Sequence, residues 1–197
     1  MATGGKNVVL VRHGDTEWSR ARKHTGRTDV ALTDTGMRQA DALAAMLSGF
    51  DFARVLCSPR QRAVETCRRA GLLDRAEITD DAAEWDYGVY EGRTTAEIRE
   101  EQPGWSIWDH GAPGGETPEQ VTARADDLIA GIAPTLSEGD VVLVGHGHFS
   151  RALMTRWIGL PVGEGARLMM DAPAWAVLGH YHGDLRCLDH VNLHALG

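Results

Sequence analysis

Three short stretches of the chain carry side chains suited to phosphoryl chemistry. They are Arg12-His13-Gly14, Ser58 to Arg62, and Gly145-His146-Gly147-His148. Arg12 and Arg62 offer planar guanidinium forks that match phosphate oxygens two at a time. His13 and His146 offer one nucleophile and one further donor, because a neutral imidazole is competent to attack near pH 7. Gly14 and Gly147 let backbone N–H groups approach an anion closely. Helix N-termini after Ser58 and after His146 would add partial positive charge. A leaving alkoxide would need a proton, and Glu84 in Glu84-Trp85-Asp86-Tyr87-Gly88 is the candidate donor. A tryptophan neighbour that can shield a carboxylate from water suits that role. His148 is read as near the substrate, with capping of the next helix as the competing reading.

These residues work together only if the chain places them together. Residues 7–11 are apolar and β-branched without alternation, as expected for a strand buried on both faces. Residues 54–57 and 141–144 read the same way. Each of the three chemical stretches therefore follows directly on a buried strand. Met37, Ala40, Leu43, Ala44 and Leu47 recur at helical spacing, with Gly49 as a stop. Ser58-Pro59 looks like an N-cap followed by proline at the first helical position. Residues 84–116 read as an insertion with one short helix near 95–101. It forms part of the substrate pocket, and its Trp85, Tyr87, Tyr90, Trp105 and Trp108 either wall that pocket or pack the insertion onto the body. A helix over 117–136, a helix through Ala152 to Trp157, and strands over 174–181 and 184–193 joined at His182-Gly183-Asp184 complete the pattern.

Strands alternating with helices predict an α/β fold, a three-layer α/β/α sandwich with a mostly parallel sheet and helices on both faces. The 197 residues fit a single domain, 1–197. In such sheets, sites gather beyond the carboxyl ends of the strands.

Composition narrows the partners. A formal charge of -8 argues against nucleic-acid binding but leaves room for an arginine pocket around a small phosphorylated metabolite. Three scattered cysteines, Cys57, Cys67 and Cys187, suit a reducing compartment and lack a zinc-type pair. The opening hexapeptide Met1 to Lys6 reads as neither a signal peptide nor a membrane span, so the expected location is cytoplasmic, away from membranes. A homodimer is compatible with the sequence, which specifies no oligomeric state.

The motifs resemble the histidine phosphatase superfamily, which includes the cofactor-dependent phosphoglycerate mutases. The resemblance is carried by Leu10-Val11-Arg12-His13-Gly14-Asp15-Thr16-Glu17-Trp18, by Thr25-Gly26, and by Ser58-Pro59-Arg60-Gln61-Arg62-Ala63-Val64-Glu65-Thr66. Glu84 to Gly88, Tyr90-Glu91-Gly92 and Gly145-His146-Gly147 follow in family order. It implies that His13 is phosphorylated and that Arg12, Arg62 and His146 clamp the phosphoryl group. It further implies that Glu84 protonates the leaving group and then activates water. Thr25 and the backbone at Gly26 and Gly147 would lie near the substrate, and no metal or other cofactor would take part.

Within the family, the mutase branch is distinguished by paired arginines after a tryptophan in the insertion. This chain has Trp105-Ser106-Ile107-Trp108-Asp109-His110, and Ser19 stands where mutases carry asparagine. The resemblance is nearer to broad acid phosphatases and sedoheptulose-bisphosphatase-like enzymes, so a phosphoric monoester hydrolase is expected and a mutase-type phosphotransferase is the alternative. A metal-dependent hydrolase would draw on His146, His148, His180, His182 and Asp171, yet His180 and His182 are alternate strand residues and face opposite ways. A cysteine phosphatase would need arginine at the position of Ala63. A non-catalytic phospho-ligand binder would be expected to lack His13 or Glu84.

Overall fold

The computed structural model describes residues 6–194. Residues 1–5 of the amino-terminal hexapeptide lie outside the described residues. Six strands form one sheet: β1 (Val8–Arg12), β2 (Phe52–Cys57), β3 (Ala76–Ile78), β4 (Asp140–Gly145), β5 (Trp175–Tyr181) and β6 (Leu185–Leu193). Their order is β3-β2-β4-β1-β5-β6. The first four run parallel, and β5 and β6 are antiparallel to their neighbours. The helices are α1 (Glu17–Arg20), α2 (Asp34–Leu47), α3 (Gln61–Arg69), α4 (Thr95–Glu101), α5 (Ile107–His110), α6 (Pro118–Ile132) and α7 (Gly147–Trp157).

Strand alternation divides the core into two layers. Val8, Leu10, Val141 and Leu143 face one side and join α6, α7 and the aromatic residues of 84–116. Val9, Val11, Val142 and Val144 face the other and join Leu43 and Leu47 of α2 and Ala63 and Cys67 of α3. Helices thus cover both faces, the expected three-layer α/β/α arrangement. The central strands are buried on both sides, which is why their sequence is uniformly apolar. α6 opens with Pro118 and a reciprocal Thr117–Gln120 cap. Its α-helical part ends at Ile132 and continues as a 3₁₀ turn over Ala133–Ser137. The β5–β6 turn carries His182 at φ 46° and Gly183 at φ 93°, as a tight hairpin requires.

Some local readings need correction. α3 starts at Gln61 with Arg60 as its N-cap, so Ser58 does not cap it and Pro59 is not its first residue. The segment 84–116 holds two short helices, α4 and α5. The loop before α2 contains α1, and the edge strand β3 carries no apolar run that would announce it. Among the described residues, no helix is long and apolar enough to cross a membrane.

Candidate active site

The middle of the sheet reads β2-β4-β1, with Arg12 opposite Gly145 and Cys57 opposite Val144. The ladder then runs one residue past the strands. His13 N–H donates to the Gly145 carbonyl at 3.0 Å, and Ser58 N–H donates to that of Val144 at 3.0 Å. This register brings His13, Ser58 and His146 abreast at the carboxyl edge of the sheet.

His13 is buried, and its Nδ1 lies 2.7 Å from the Gly14 carbonyl oxygen. A carbonyl only accepts, so Nδ1 carries the proton and Nε2 keeps its lone pair. The His146 ring packs edge-on against it with centroids 5.3 Å apart. His146 Nε2 pairs with the Ser58 hydroxyl at 2.7 Å, which explains why Ser58 is absent from the α3 cap. Burial, then Arg62 and Arg12, hold His13 well below the usual imidazole range. Burial, then Arg62, His13 and Arg12, do the same to His146. Both rings are therefore neutral at pH 7.

Arg62 has no exposed surface. Its Nη1 donates to the Thr28 carbonyl at 2.9 Å, and its Nη2 to those of Thr25 and Gly26 at 2.8 and 3.0 Å. One side chain thereby ties the 25–28 loop to the sheet edge. Arg12 Nη1 donates to the Met170 carbonyl at 2.5 Å. A Cβ on Gly147 would stand 3.1 Å from Arg12 Cζ, so this glycine makes room for the guanidinium. Among the described residues six buried side-chain polar atoms lack a partner, and three of them are Arg12 Nε, Arg62 Nε and His146 Nδ1.

Glu84 accepts from three backbone N–H groups: Trp85 at 2.9 Å, His148 at 3.0 Å and Phe149 at 2.8 Å. The last two belong to the first turn of α7, so the carboxylate is fixed by the helix that follows His146. His148 Nδ1 pairs with the Tyr87 hydroxyl at 2.8 Å. Burial chiefly keeps His148 well below, and Tyr87 well above, their usual ranges. His24 packs at a tilt against Tyr87 with centroids 4.6 Å apart and meets the Thr95 hydroxyl at 3.1 Å. Burial pulls its pKa down to about 4.

A cleft of about 450 Å³ opens over this floor. Of the residues singled out from sequence, Arg12, His13, Thr25, Glu84 and His148 line it. Arg62 and His146 lie beneath, and Gly147 packs under Arg12. Gly26 is differently placed from the expectation, because its N–H already donates to Glu91 at 2.8 Å and its carbonyl accepts from Arg62. It therefore braces the loop. Of the five aromatic residues of the 84–116 segment, Tyr87 alone lines the cleft, and all five are buried. Arg22, Lys23, His24 and Thr95 also line it and were not singled out from sequence, and so does Asp171, which the sequence offered only as a metal ligand. They reach it from loops and helix ends that carry no motif. In the stretch where mutases carry arginines, Asp109 and His110 are exposed and do not line the cleft. Among the described residues, no group of three or more His, Cys, Asp or Glu side chains could hold a metal ion.

The profile of the histidine phosphatase superfamily (branch 1) matches residues 8–193. An acid phosphatase of Mycobacterium tuberculosis is 47% identical over 186 residues, 93% of this chain and 91% of its own. A sedoheptulose 1,7-bisphosphatase of Saccharomyces cerevisiae is 35% identical over 187 residues, 78% of this chain and 68% of its own. A solved structure of an open reading frame product from Mycobacterium tuberculosis superposes with a TM-score of 0.93 at 44% identity, covering 97% of this chain and 99% of that one.

Proposed function

Because the chain belongs to the histidine phosphatase superfamily (branch 1), we propose that it hydrolyses phosphate monoesters of small metabolites, sugar phosphates included, through a phosphohistidine on His13. The carrying observation is that Arg12 Nε, Arg62 Nε and His146 Nδ1 are buried without partners, on two guanidinium groups whose charge is felt at His13 and on the ring packed against it. Buried polar atoms without partners are costly; a phosphoryl group's oxygens would satisfy the two guanidinium N–H groups, and His146 Nδ1 as well in the tautomer that accepts from Ser58.

In the first step His13 Nε2 attacks phosphorus and the bond to the leaving oxygen breaks. Arg12, Arg62 and His146 hold the non-bridging oxygens as charge redistributes. Glu84, protonated for this step, gives its proton to the leaving alkoxide. In the second step Glu84 takes a proton from water, the water oxygen bonds to phosphorus, and the P–N bond breaks to free His13 and inorganic phosphate. Glu84 is held by the N-terminus of α7, so acid and clamp share one rigid element. Thr25 and His148 border the leaving group.

Hydrolysis is favoured over phosphoglycerate-type transfer by the exposed Asp109 and His110, and by the acid phosphatase and bisphosphatase among the similar proteins. The finer assignment is to the acid phosphatase type, acting without a metal as one domain with 84–116 as a pocket-forming insertion, in the cytoplasm. A panel of phosphorylated metabolites, assayed in excess chelator for phosphate release and for transfer between phosphoglycerates, tests this. Release should dominate. Dominant transfer would overturn the hydrolase reading, and loss of activity on chelation would overturn the metal-free one.

A further inference from the structure

We infer that Arg22 and Lys23 form a second anion subsite at the mouth of the cleft, selecting substrates with a carboxylate or second phosphate distant from the scissile one. This rests on the phosphatase reading and names its substrate class.

Three cations and three carboxylates line the cleft: Arg12, Arg22 and Lys23 against Asp15, Glu84 and Asp171. The carboxylates are already engaged. Asp15 takes Arg20 Nε at 2.6 Å and the Thr33 hydroxyl at 2.9 Å. Asp171 accepts from Asn192 Nδ2 at 2.9 Å, and Glu84 accepts three backbone N–H groups. Arg22 and Lys23 are not: among the described residues neither takes an ion pair, and the Lys23 ammonium rests over the Trp18 ring at 5.6 Å. The carboxylates of the cleft thus have hydrogen-bond partners, while Arg22 and Lys23 hold no ion pair among the described residues and are free to meet an anion, in a molecule of net charge -8.

The backbone supports the same placement. Arg22 sits at φ 55°, a left-handed conformation that costs a residue with a Cβ energy. Its N–H donates to the Ser19 carbonyl at 3.1 Å, that of Lys23 donates to Trp18 at 2.9 Å, and Lys23 bridges Thr94. Asparagine or glycine would fit this turn better, and the residue that stands there lines the cleft. A volume of about 450 Å³ also exceeds what a phosphoryl group alone needs and falls in the range of small-metabolite pockets.

The test uses the full chain carrying R22N/K23Q, asparagine being chosen because it tolerates the left-handed turn. Fructose 1,6-bisphosphate and 3-phosphoglycerate are compared with the monoester glycerol 3-phosphate. The ratio of kcat/KM for a two-anion substrate over the monoester should fall roughly 10-fold or more, and less so at high salt. Which of the two loses more identifies phosphate or carboxylate as the second group. Binding of the same ligands is measured in an H13A background, where no turnover is needed, so a failure of the phosphatase reading is told apart from a failure of the subsite. There too the preference for two-anion ligands should fall. An unchanged ratio, or equal losses on all three ligands, would overturn the subsite.

Discussion

At the floor of the cleft, His13, Arg62 and His146 are buried, and their side chains hydrogen-bond to the protein's own frame: Gly14, the 25–28 loop and Ser58. At the mouth, Arg22 is exposed, Lys23 is half-buried, and among the described residues neither takes an ion pair. Between them stands a wall of neutral rings, His24, Tyr87 and His148, held by one another and by Thr95. In the proposed reaction this floor is what receives the tetrahedral phosphoryl group. The wall and the mouth are where one substrate can be told from another.

The contrast breaks first at His13. H13A should lower phosphate release about 10⁴-fold or more, while the unfolding midpoint in urea changes little. Retained turnover would end the nucleophile assignment. Next comes Glu84, which matters only where the leaving group needs a proton. E84Q should cost about 10²- to 10⁴-fold on an alkyl phosphate such as glycerol 3-phosphate and far less on p-nitrophenyl phosphate. Equal losses on both would argue that Glu84 acts by holding α7.

Arg62 joins two roles. R62A should reduce kcat about 10²- to 10³-fold and destabilise the protein by about 3 kcal/mol, since it abandons the carbonyls of Thr25, Gly26 and Thr28. A loss of activity with unchanged urea stability would show that the loop does not depend on it.

The wall gives the smallest catalytic effect and a distinct pH signature. His24 titrates near 4 in the fold and near 6.5 when unfolded. Between those values the unfolded chain binds a proton that the fold excludes, so stability falls as pH drops from 6.5 through about 4. The contribution is about 3 kcal/mol, and His13, His146 and His148 act in the same direction. H24F should shrink the loss of stability between pH 7 and pH 4, measured by urea unfolding. An unaltered loss would mean that His24 is not held neutral.

The floor was readable because its parts follow apolar runs whose burial is itself written in the sequence. Once β1, β2 and β4 were strands, Arg12, His13, Ser58 and His146 had to emerge at one edge. The limits fell where a side chain answers a partner far along the chain. Ser58 has the local signature of a helix cap, but its hydroxyl serves His146, 88 residues on. Gly26 looked like a ligand-facing glycine until Glu91, 65 residues away, claimed its N–H. The aromatic residues of 84–116 gave equal grounds for wall or packing, and packing prevailed for all but Tyr87. Arg22 and Lys23 belong to no motif, and only the path of the first loop turns them to the cleft.

The most direct test of the central claim is to quench the enzyme in alkali during turnover of a ³²P-labelled monoester. Label should be held in an acid-labile, alkali-stable bond on the peptide containing His13 and be absent from H13A. Turnover without bound label, or label on another residue, would contradict the account.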